Sequence, residues 1–273
     1  MTPSSHLHRE QTVLGELVSH LGEIDYQRFT PYFQWSPLDI LVHLWFTDQA
    51  ALHALDDPPQ GDAMAAGLGA ATRNKTGVAL FAAMAAQQRE ILVQRHGHLT
   101  PAQIFALWQR TGSALCARFD LCAEDDTAPW FGRPLKIRRL IDARHMEVWC
   151  YGQDIFDLMG KHHPNGPGLV RVADFAVRNF RFAFANRGLA VPERQPLITL
   201  VDPTGTVHTW NHSDNEGAIR GAMVDFCLVA TQRRHLLDTA LEVSGDIATQ
   251  WLHIAQCISG PPLDGPAPGE RAW

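Results

Sequence analysis

Between residues 4 and 24, Leu7, Val13, Leu14, Leu17, Val18 and Leu21 recur mostly at spacings of three and four, with polar residues between them. That is the period of an amphipathic helix. Residues 30–35 break the pattern with Pro31 and a group of aromatics, and read as a loop. Ser36-Pro37-Leu38-Asp39 then has the make-up of a helix start: serine as N-cap, proline at the first helical position, an acidic residue in the first turn. The helix it opens runs through Ile40, Leu41, Leu44, Trp45 and Ala51 to about Leu55, and Asp57-Pro58-Pro59 ends it. Residues 58–77, rich in Gly and Ala, read as a mobile connection or weak helical turns. Helical spacing resumes over 78–96, and Thr100-Pro101 opens a further helix to Phe119. The polar segment Asp125 to Arg133, with Pro129 and Gly132, reads as a loop. Another long helix covers about 136–159 and closes at Gly160. Four long helices with one longer connection suit a bundle.

The pattern changes after Gly160. Residues 161–168 read as a linker and 169–186 as a helix. Leu197 to Leu200 and Thr206 to Trp210 flank Asp202-Pro203-Thr204-Gly205 and predict a β-hairpin. A helix from about Glu216 to His235, a short strand at Ala240 to Val243 and a helix over 246–258 follow, and the Pro- and Gly-rich end reads as a tail. The expected fold class is α+β. It comprises a four-helix bundle over 1–160, a small α/β domain with a mainly antiparallel sheet over 168–260, and a flexible tail over 261–273.

Composition narrows the function. The chain of 273 residues is 45% hydrophobic and 19% charged, with a net charge of −6, so no basic excess exists to meet phosphates and nucleic acid is not an expected partner. No apolar run has the length of a membrane span, and His6, His8, Arg9, Glu10 and Glu16 interrupt the N-terminal segment, so neither a membrane nor a signal peptide is expected. The five cysteines (116, 122, 150, 227 and 257) include no CxxC pair and read as reduced thiols of a cytoplasmic protein. Oligomeric state is not legible in these features.

Two helices carry the chemistry. His43, beside Val42, Leu44 and Trp45, reads first as a hydrogen-bonded core histidine. Glu147 sits among Met146, Val148 and Trp149, where a carboxylate is costly unless it is paired, ligating or protonated. Its plain reading is an ion pair with Arg144 at i−3. Tyr151 lies about 40° and Asp154 about 20° from Glu147 around the helix, on opposite sides, so the three form one polar stripe. Burial there is expected to raise the Glu147 carboxyl. Cys150 lacks a neighbour that would activate it, and packing is its simpler reading. Arg233, Arg234 and His235 close a helix, where they suit its C-terminal end, and either arginine could meet an anionic substrate. Trp35, Trp45, Trp130 and Trp149 are candidate pocket walls or core residues.

At these residues a family resemblance enters. Gln34-Trp35-Ser36-Pro37-Leu38-Asp39-Ile40-Leu41-Val42-His43-Leu44 resembles the GW+s+xDxxxHL signature of the DinB and mycothiol-dependent maleylpyruvate isomerase families. The segment Ala143 to Ile155 resembles their R-x-x-E-x-W-x-H-G-x-D helix. The nearest likeness is to an actinobacterial and proteobacterial branch described as metal-binding, in which blocks similar to 225–235 and 251–256 recur. The resemblance implies a DinB-like bundle and a divalent metal, usually zinc, held by His43, Glu147 and a histidine at position 151. Position 151 is Tyr151, a poor ligand unless deprotonated, so zinc or another divalent metal is in doubt. Asp154 lies roughly 10 Å from Glu147 along the helix, too far to share one ion easily. His145 points nearly the other way. The resemblance also admits a thiol cofactor and gives a C-terminal-domain arginine, Arg233 or Arg234, a part in the substrate site.

These features imply a small-molecule enzyme catalysing an isomerisation or a related proton-transfer or lyase step. Catalysis would lie with His43, Glu147, Tyr151, Arg233 and Arg234, and substrate contact with Trp35, Trp45, Trp149 and Asp154. A non-catalytic metabolite-binding protein on the same scaffold and a zinc-dependent, thiol-cofactor isomerase or transferase are the alternatives.

Overall fold

The computed structural model of the chain describes residues 2–130, 132–213, 215–258 and 260–271. The chain divides into two compact units, Met1–His162 and His163–Trp273. In the first, α1 spans Ser5–Val18 and stops short of its apolar spacing. The side chains of Ser19 and His20 both bond the Glu16 carbonyl, at 2.8 and 2.7 Å, and so take up an end the helix would have continued from. Helix α2 (Pro37–Asp56) begins where the sequence predicts. Ser36 Oγ accepts from the Asp39 N–H at 3.2 Å while the Asp39 carboxylate accepts from the Ser36 N–H at 3.0 Å, a reciprocal capping box.

Pro58 and Pro59 end α2 but also open the next helix. The Gly/Ala segment expected to be a mobile connection forms α3 (Pro58–Thr72), because proline is well placed in a first turn. Helix α4 spans Gly77–His96, α5 Pro101–Phe119 and α6 Ile137–Leu158. Between α5 and α6 the expected loop is a two-stranded hairpin, β1 (Thr127–Trp130) and β2 (Arg133–Lys136). Pro129 faces Pro134 across it, which a ribbon with two open edges tolerates.

Helix α1 packs on α5 and α6, and α2 on the same two, so the four close a ring. Helices α3 and α4 lie against α2 from outside it. Helix α2 therefore has neighbours on all sides. Its residues from Ile40 to Asp48 are buried without interruption, in place of the one-sided stripe of a surface helix.

The second unit is α+β. Helices α7 (Leu169–Arg178) and α8 (Phe180–Asn186) replace one expected helix, the break falling at Asn179. The strands β3 (Leu197–Val201), β4 (Val207–Trp210), β5 (Ala218–Ala222) and β6 (Glu242–Ser244) form a sheet in the order β4-β3-β5-β6. The β3/β4 and β5/β6 pairs are antiparallel and β3/β5 is parallel, so the sheet is mainly antiparallel. The helix expected from Glu216 is instead β5 followed by α9 (Met223–Ala230). Gly217 admits that strand: at φ 83° a side chain there would meet the Ser244 carbonyl at 2.5 Å. Helix α9 ends in a Schellman turn, with Arg233 N–H on the Leu228 carbonyl (2.7 Å) and Gln232 N–H on that of Val229 (3.0 Å). Gln232 holds the left-handed position at φ 63°. Its amide donates to the carbonyls of Ala255 and Leu263 at 3.1 and 2.7 Å. Helix α10 (Asp246–Ile254) follows. Within the segment read as a tail, Leu263 is buried and the Gly269 N–H donates to Asp238 at 2.9 Å. Among the described residues no helix is long and apolar enough to cross a membrane.

The α2 capping box makes a measurable prediction. Ser36→Ala should lower stability by about 1 kcal/mol and the thermal midpoint by roughly 2–4 °C, read by circular dichroism. An unchanged midpoint would show that the Asp39–Arg89 ion pair, at 2.6 Å, holds this end alone.

Candidate functional site

A line of polar side chains crosses the first unit through its apolar interior. It starts on α2 with Asp48, whose Oδ1 accepts from Arg144 Nε at 3.0 Å. The side chains of both residues are wholly buried. Arg144 Nη1 donates in turn to Glu147 Oε2, one turn further along α6. The same carboxylate oxygen stands 3.5 Å from His43 Nε2 on α2. On its other edge, His43 Nδ1 meets the amide of Gln88 on α4, with Nε2 at 3.1 Å and Oε1 at 3.3 Å. Glu147 keeps 19% of its side-chain surface exposed against 5% for His43, so the line reaches solvent at the carboxylate.

Aromatic rings enclose the imidazole. Tyr151 lies edge-on at 4.9 Å between centroids and Trp35 at 5.0 Å. Trp35 and Tyr151 stack on each other at 5.4 Å, and Tyr32 meets Tyr151 edge-on at 6.0 Å. Trp35 is fixed by a 2.9 Å hydrogen bond from Nε1 to the Phe81 carbonyl. The loop that delivers these rings has two successive non-glycine residues in the left-handed region, Phe33 at φ 50° and Gln34 at φ 60°. Such strain persists only where surrounding contacts impose it. Here Phe33 stacks flat on Phe81 at 4.2 Å, and the Thr30 N–H donates to the Trp35 carbonyl at 2.8 Å.

The structure thus brings His43, Glu147, Tyr151 and Trp35 together. Trp45 turns away, its ring against His96 at 5.5 Å. Trp149 is buried on α6, about 200° around the helix from Glu147. Asp154 is buried further along α6, and Trp130 is half-buried on β1. Cys150 packs with its Sγ 3.7 Å from Met146 Sδ. Arg233 and Arg234 belong to the second unit and are both buried in the turn after α9. Arg233 donates to the Thr231 carbonyl at 2.6 Å and Arg234 to that of Arg233 at 2.8 Å. Sequence reasoning missed Gln88, Asp48 and Tyr32. Gln88 had a readable signal, since it interrupts the buried stripe Phe81, Ala85, Gln88, Leu92 of α4.

The electrostatics reverse one expectation. Burial does push Glu147 up, but the Arg144 guanidinium and the His43 contact outweigh it, and the carboxyl is held down at about 2. Asp48 goes the other way: burial pushes it up against the opposing pull of Arg144. One cation serves both carboxylates and does not neutralise both.

These residues do not make a good metal site. The third donor position is a phenol ring stacked on Trp35. The Glu147 oxygen that faces His43 is already engaged by Arg144. Among the described residues no group of three His, Cys, Asp or Glu side chains could hold an ion.

The family model for the mycothiol maleylpyruvate isomerase N-terminal domain matches residues 7–156. Two uncharacterized proteins of Mycobacterium tuberculosis, from strains CDC 1551 and H37Rv, are each 31% identical over 259 residues, covering 95% of this chain and 96% of theirs. Among solved structures, the mycothiol-dependent maleylpyruvate isomerase superposes with a TM-score of 0.53 at 14% identity, over 85% of this chain and 88% of that one. A histidine-to-alanine mutant of the same enzyme gives 0.53 at 13% identity over the same shares. At that identity the likeness is one of fold.

Two predictions come from the cluster. Arg144→Met strands two buried carboxylates and should cost about 3–5 kcal/mol at neutral pH. In the parent protein the depressed Glu147 contributes stability above the ordinary carboxylate range, and that contribution is lost as pH falls toward about 2. In the variant both carboxyls are raised, folding takes up protons, and stability should recover on going from pH ~7 to ~5. Urea titrations at the two pH values decide this, and a variant that is no less stable at pH ~7 would overturn the account. Second, Tyr151→His should raise zinc affinity at least tenfold, because a nitrogen ligand joins His43 one helical turn from Glu147. Equilibrium dialysis of parent and variant measures it. Tight stoichiometric zinc in the parent would mean the donor set has been misjudged.

Proposed function

We propose, from the premise that the chain belongs to the mycothiol maleylpyruvate isomerase family, that it is a small-molecule enzyme moving a proton on a carbonyl- or carboxylate-bearing substrate at His43. The observation that carries this reading is the contrast within the cluster. Glu147 is held at about 2 and stays a fixed anion near neutral pH, too weak a base to be the proton carrier. His43 beside it is the imidazole of the set, the side-chain type that most often serves as general acid and base. Glu147 orients the ring and stabilises positive charge on it. Tyr151 stands against the same ring and supplies a hydroxyl for a substrate oxygen.

The family's name joins the reaction to mycothiol, and a thiol co-substrate is part of the proposal on that ground alone. Isomerisation, with loss and return of a proton at carbon beside a carbonyl, is the reaction class that needs the fewest groups beyond these.

The test does not require the natural substrate. The protein is incubated in D2O with a panel of 2-oxo acids and unsaturated dicarboxylates, maleylpyruvate among them, with and without mycothiol, and deuterium incorporation is followed by NMR. Exchange or isomerisation of at least one compound is expected, falling by about 10²–10⁴-fold in His43→Ala. If the panel binds but never exchanges, or if His43→Ala exchanges as fast as the parent, the chain is a metabolite-binding protein on this scaffold.

A further inference from the structure

The second unit contains a cavity of about 220 Å³ between the turn after α9, helix α10 and the C-terminal segment. Residues 264–268 form its outer wall. That arc is pinned at both ends. On one side the Leu263 N–H donates to Gln256 Oε1 at 2.9 Å, and the Leu263 carbonyl accepts from Gln232 Nε2 at 2.7 Å. On the other side the Gly269 N–H donates to Asp238 at 2.9 Å. Pro266 and Pro268 stiffen the stretch between, since each fixes its own φ. Held in this way, the segment walls the space instead of filling it.

Val229, Leu252 and Pro266 give the cavity apolar sides, and three basic side chains stand among them. Arg234 is 3% exposed, and its Nη1 donates to the Arg233 carbonyl at 2.8 Å. A guanidinium carries five N–H donors in a fork that matches a carboxylate, so one such bond orients the group without exhausting it. The backbone holds the two histidines in opposite tautomers. His235 Nδ1 accepts from the Leu237 N–H at 3.1 Å, so the proton of the neutral ring sits on Nε2. His253 Nδ1 lies 2.8 Å from the Thr249 carbonyl, which only accepts, so there Nδ1 carries the proton and Nε2 is bare. The two rings meet edge-on, 5.8 Å between centroids. The wall thus combines a positive charge, an N–H donor and a nitrogen acceptor. Asp264 also lines the cavity, and its carboxylate is paired at 2.9 Å with Arg187, which stands outside the lining.

Size and charge narrow the occupant. The volume exceeds the ~150 Å³ that accommodates benzene and falls below the ~300 Å³ at which pockets for drug-sized ligands begin. One guanidinium matches a monoanion, whereas a phosphate dianion would bring uncompensated charge against apolar walls. We propose that this cavity binds a short-chain monocarboxylate. Its carboxylate meets Arg234 and the His235 Nε2–H, its stem lies against Val229, Leu252 and Pro266, and a hydroxyl on the stem donates to His253 Nε2. The proposal does not depend on the proton transfer assigned to His43.

The whole protein is titrated at pH ~7.5 and constant ionic strength with butyrate, β-hydroxybutyrate, n-butanol and inorganic phosphate. Histidine Cε1–H signals are followed by NMR, and their loss in His235→Gln and in His253→Phe assigns the two reporters. Butyrate should shift both signals with saturation, at a Kd on the order of 1 mM. β-Hydroxybutyrate should bind about fivefold more tightly, and that gain should vanish in His253→Phe. Arg234→Met should weaken butyrate about tenfold or more. Should that variant fail to fold, Gly265→Leu decides. Gly265 and Gln232 both line the cavity, and a Cβ at Gly265 would stand 3.7 Å from the Gln232 side chain, an ordinary contact. Leucine there narrows the space without a clash and should weaken butyrate to the same degree. Butanol acting as butyrate does would reveal an apolar hollow, and phosphate doing so an unselective cation. Either result overturns the proposal, as does a parent whose two signals do not move or a variant that binds butyrate unchanged.

Discussion

Arg144 is wholly buried, and the rest of the site depends on the two carboxylates it holds. A guanidinium taken out of water needs compensation worth several kcal/mol, and only partners placed by different parts of the chain can supply it. Asp48 comes from α2 and Glu147 from α6 itself, so the Asp48–Arg144 pair fixes the rotation of α6 against α2, and the Arg144–Glu147 pair ties the carboxylate to it. That rotation turns Glu147 and Tyr151 toward His43. It also keeps Glu147 ionised where burial alone would have left it protonated. A hydrophobic substitute for Arg144 could fill the same volume, but it could not hold a carboxylate anionic beside an imidazole.

The encircled position of α2 explains why so many unlike groups meet at one histidine. With α5 and α6 on one side and α3 and α4 on the other, α2 presents residues in every direction to protein and not to water. His43 thereby gains a partner from α6 at one nitrogen and from α4 at the other. The loop before α2 closes the remaining side with Tyr32 and Trp35. Gln34 stands where the family signature has glycine, and its φ of 60° is the conformation glycine adopts freely.

What could be read from the chain was what local chemistry decides. The start of α2 was legible because serine, proline and aspartate at their spacing cap a helix wherever it packs. His43, Glu147 and Tyr151 were legible from helical phase and from motifs that span a few turns. The strand β5 was not, because Ala218 to Ala222 has little strand character of its own and exists through its pairing with β3 and β6. Asp48 was illegible as a site residue for the same reason, and Gln88 showed only as a polar break in an apolar stripe, with nothing to name its partner. A buried polar group is acceptable only when its partner is in place, and both partners arrive by tertiary packing from positions 96 and 45 residues away. The pull of Arg144 on Glu147 was half legible: the i−3 spacing was visible, but the burial that makes it outweigh desolvation was not.

Charge balance ties these features together. Asp48, Glu147 and Arg144, all ionised, sum to one unit of negative charge in a region where water is largely excluded. Burial pushes the Asp48 carboxyl up, and the Arg144 guanidinium opposes that shift. A proton on Asp48 would cost the Asp48–Arg144 pair part of its attraction and disturb the α2–α6 contact. The cluster therefore sets a fixed negative charge beside His43 Nε2, the field that the proposed proton transfer needs. Tyr151 fits the same logic, because a neutral phenol at that position adds hydrogen-bonding capacity and no further charge to be balanced.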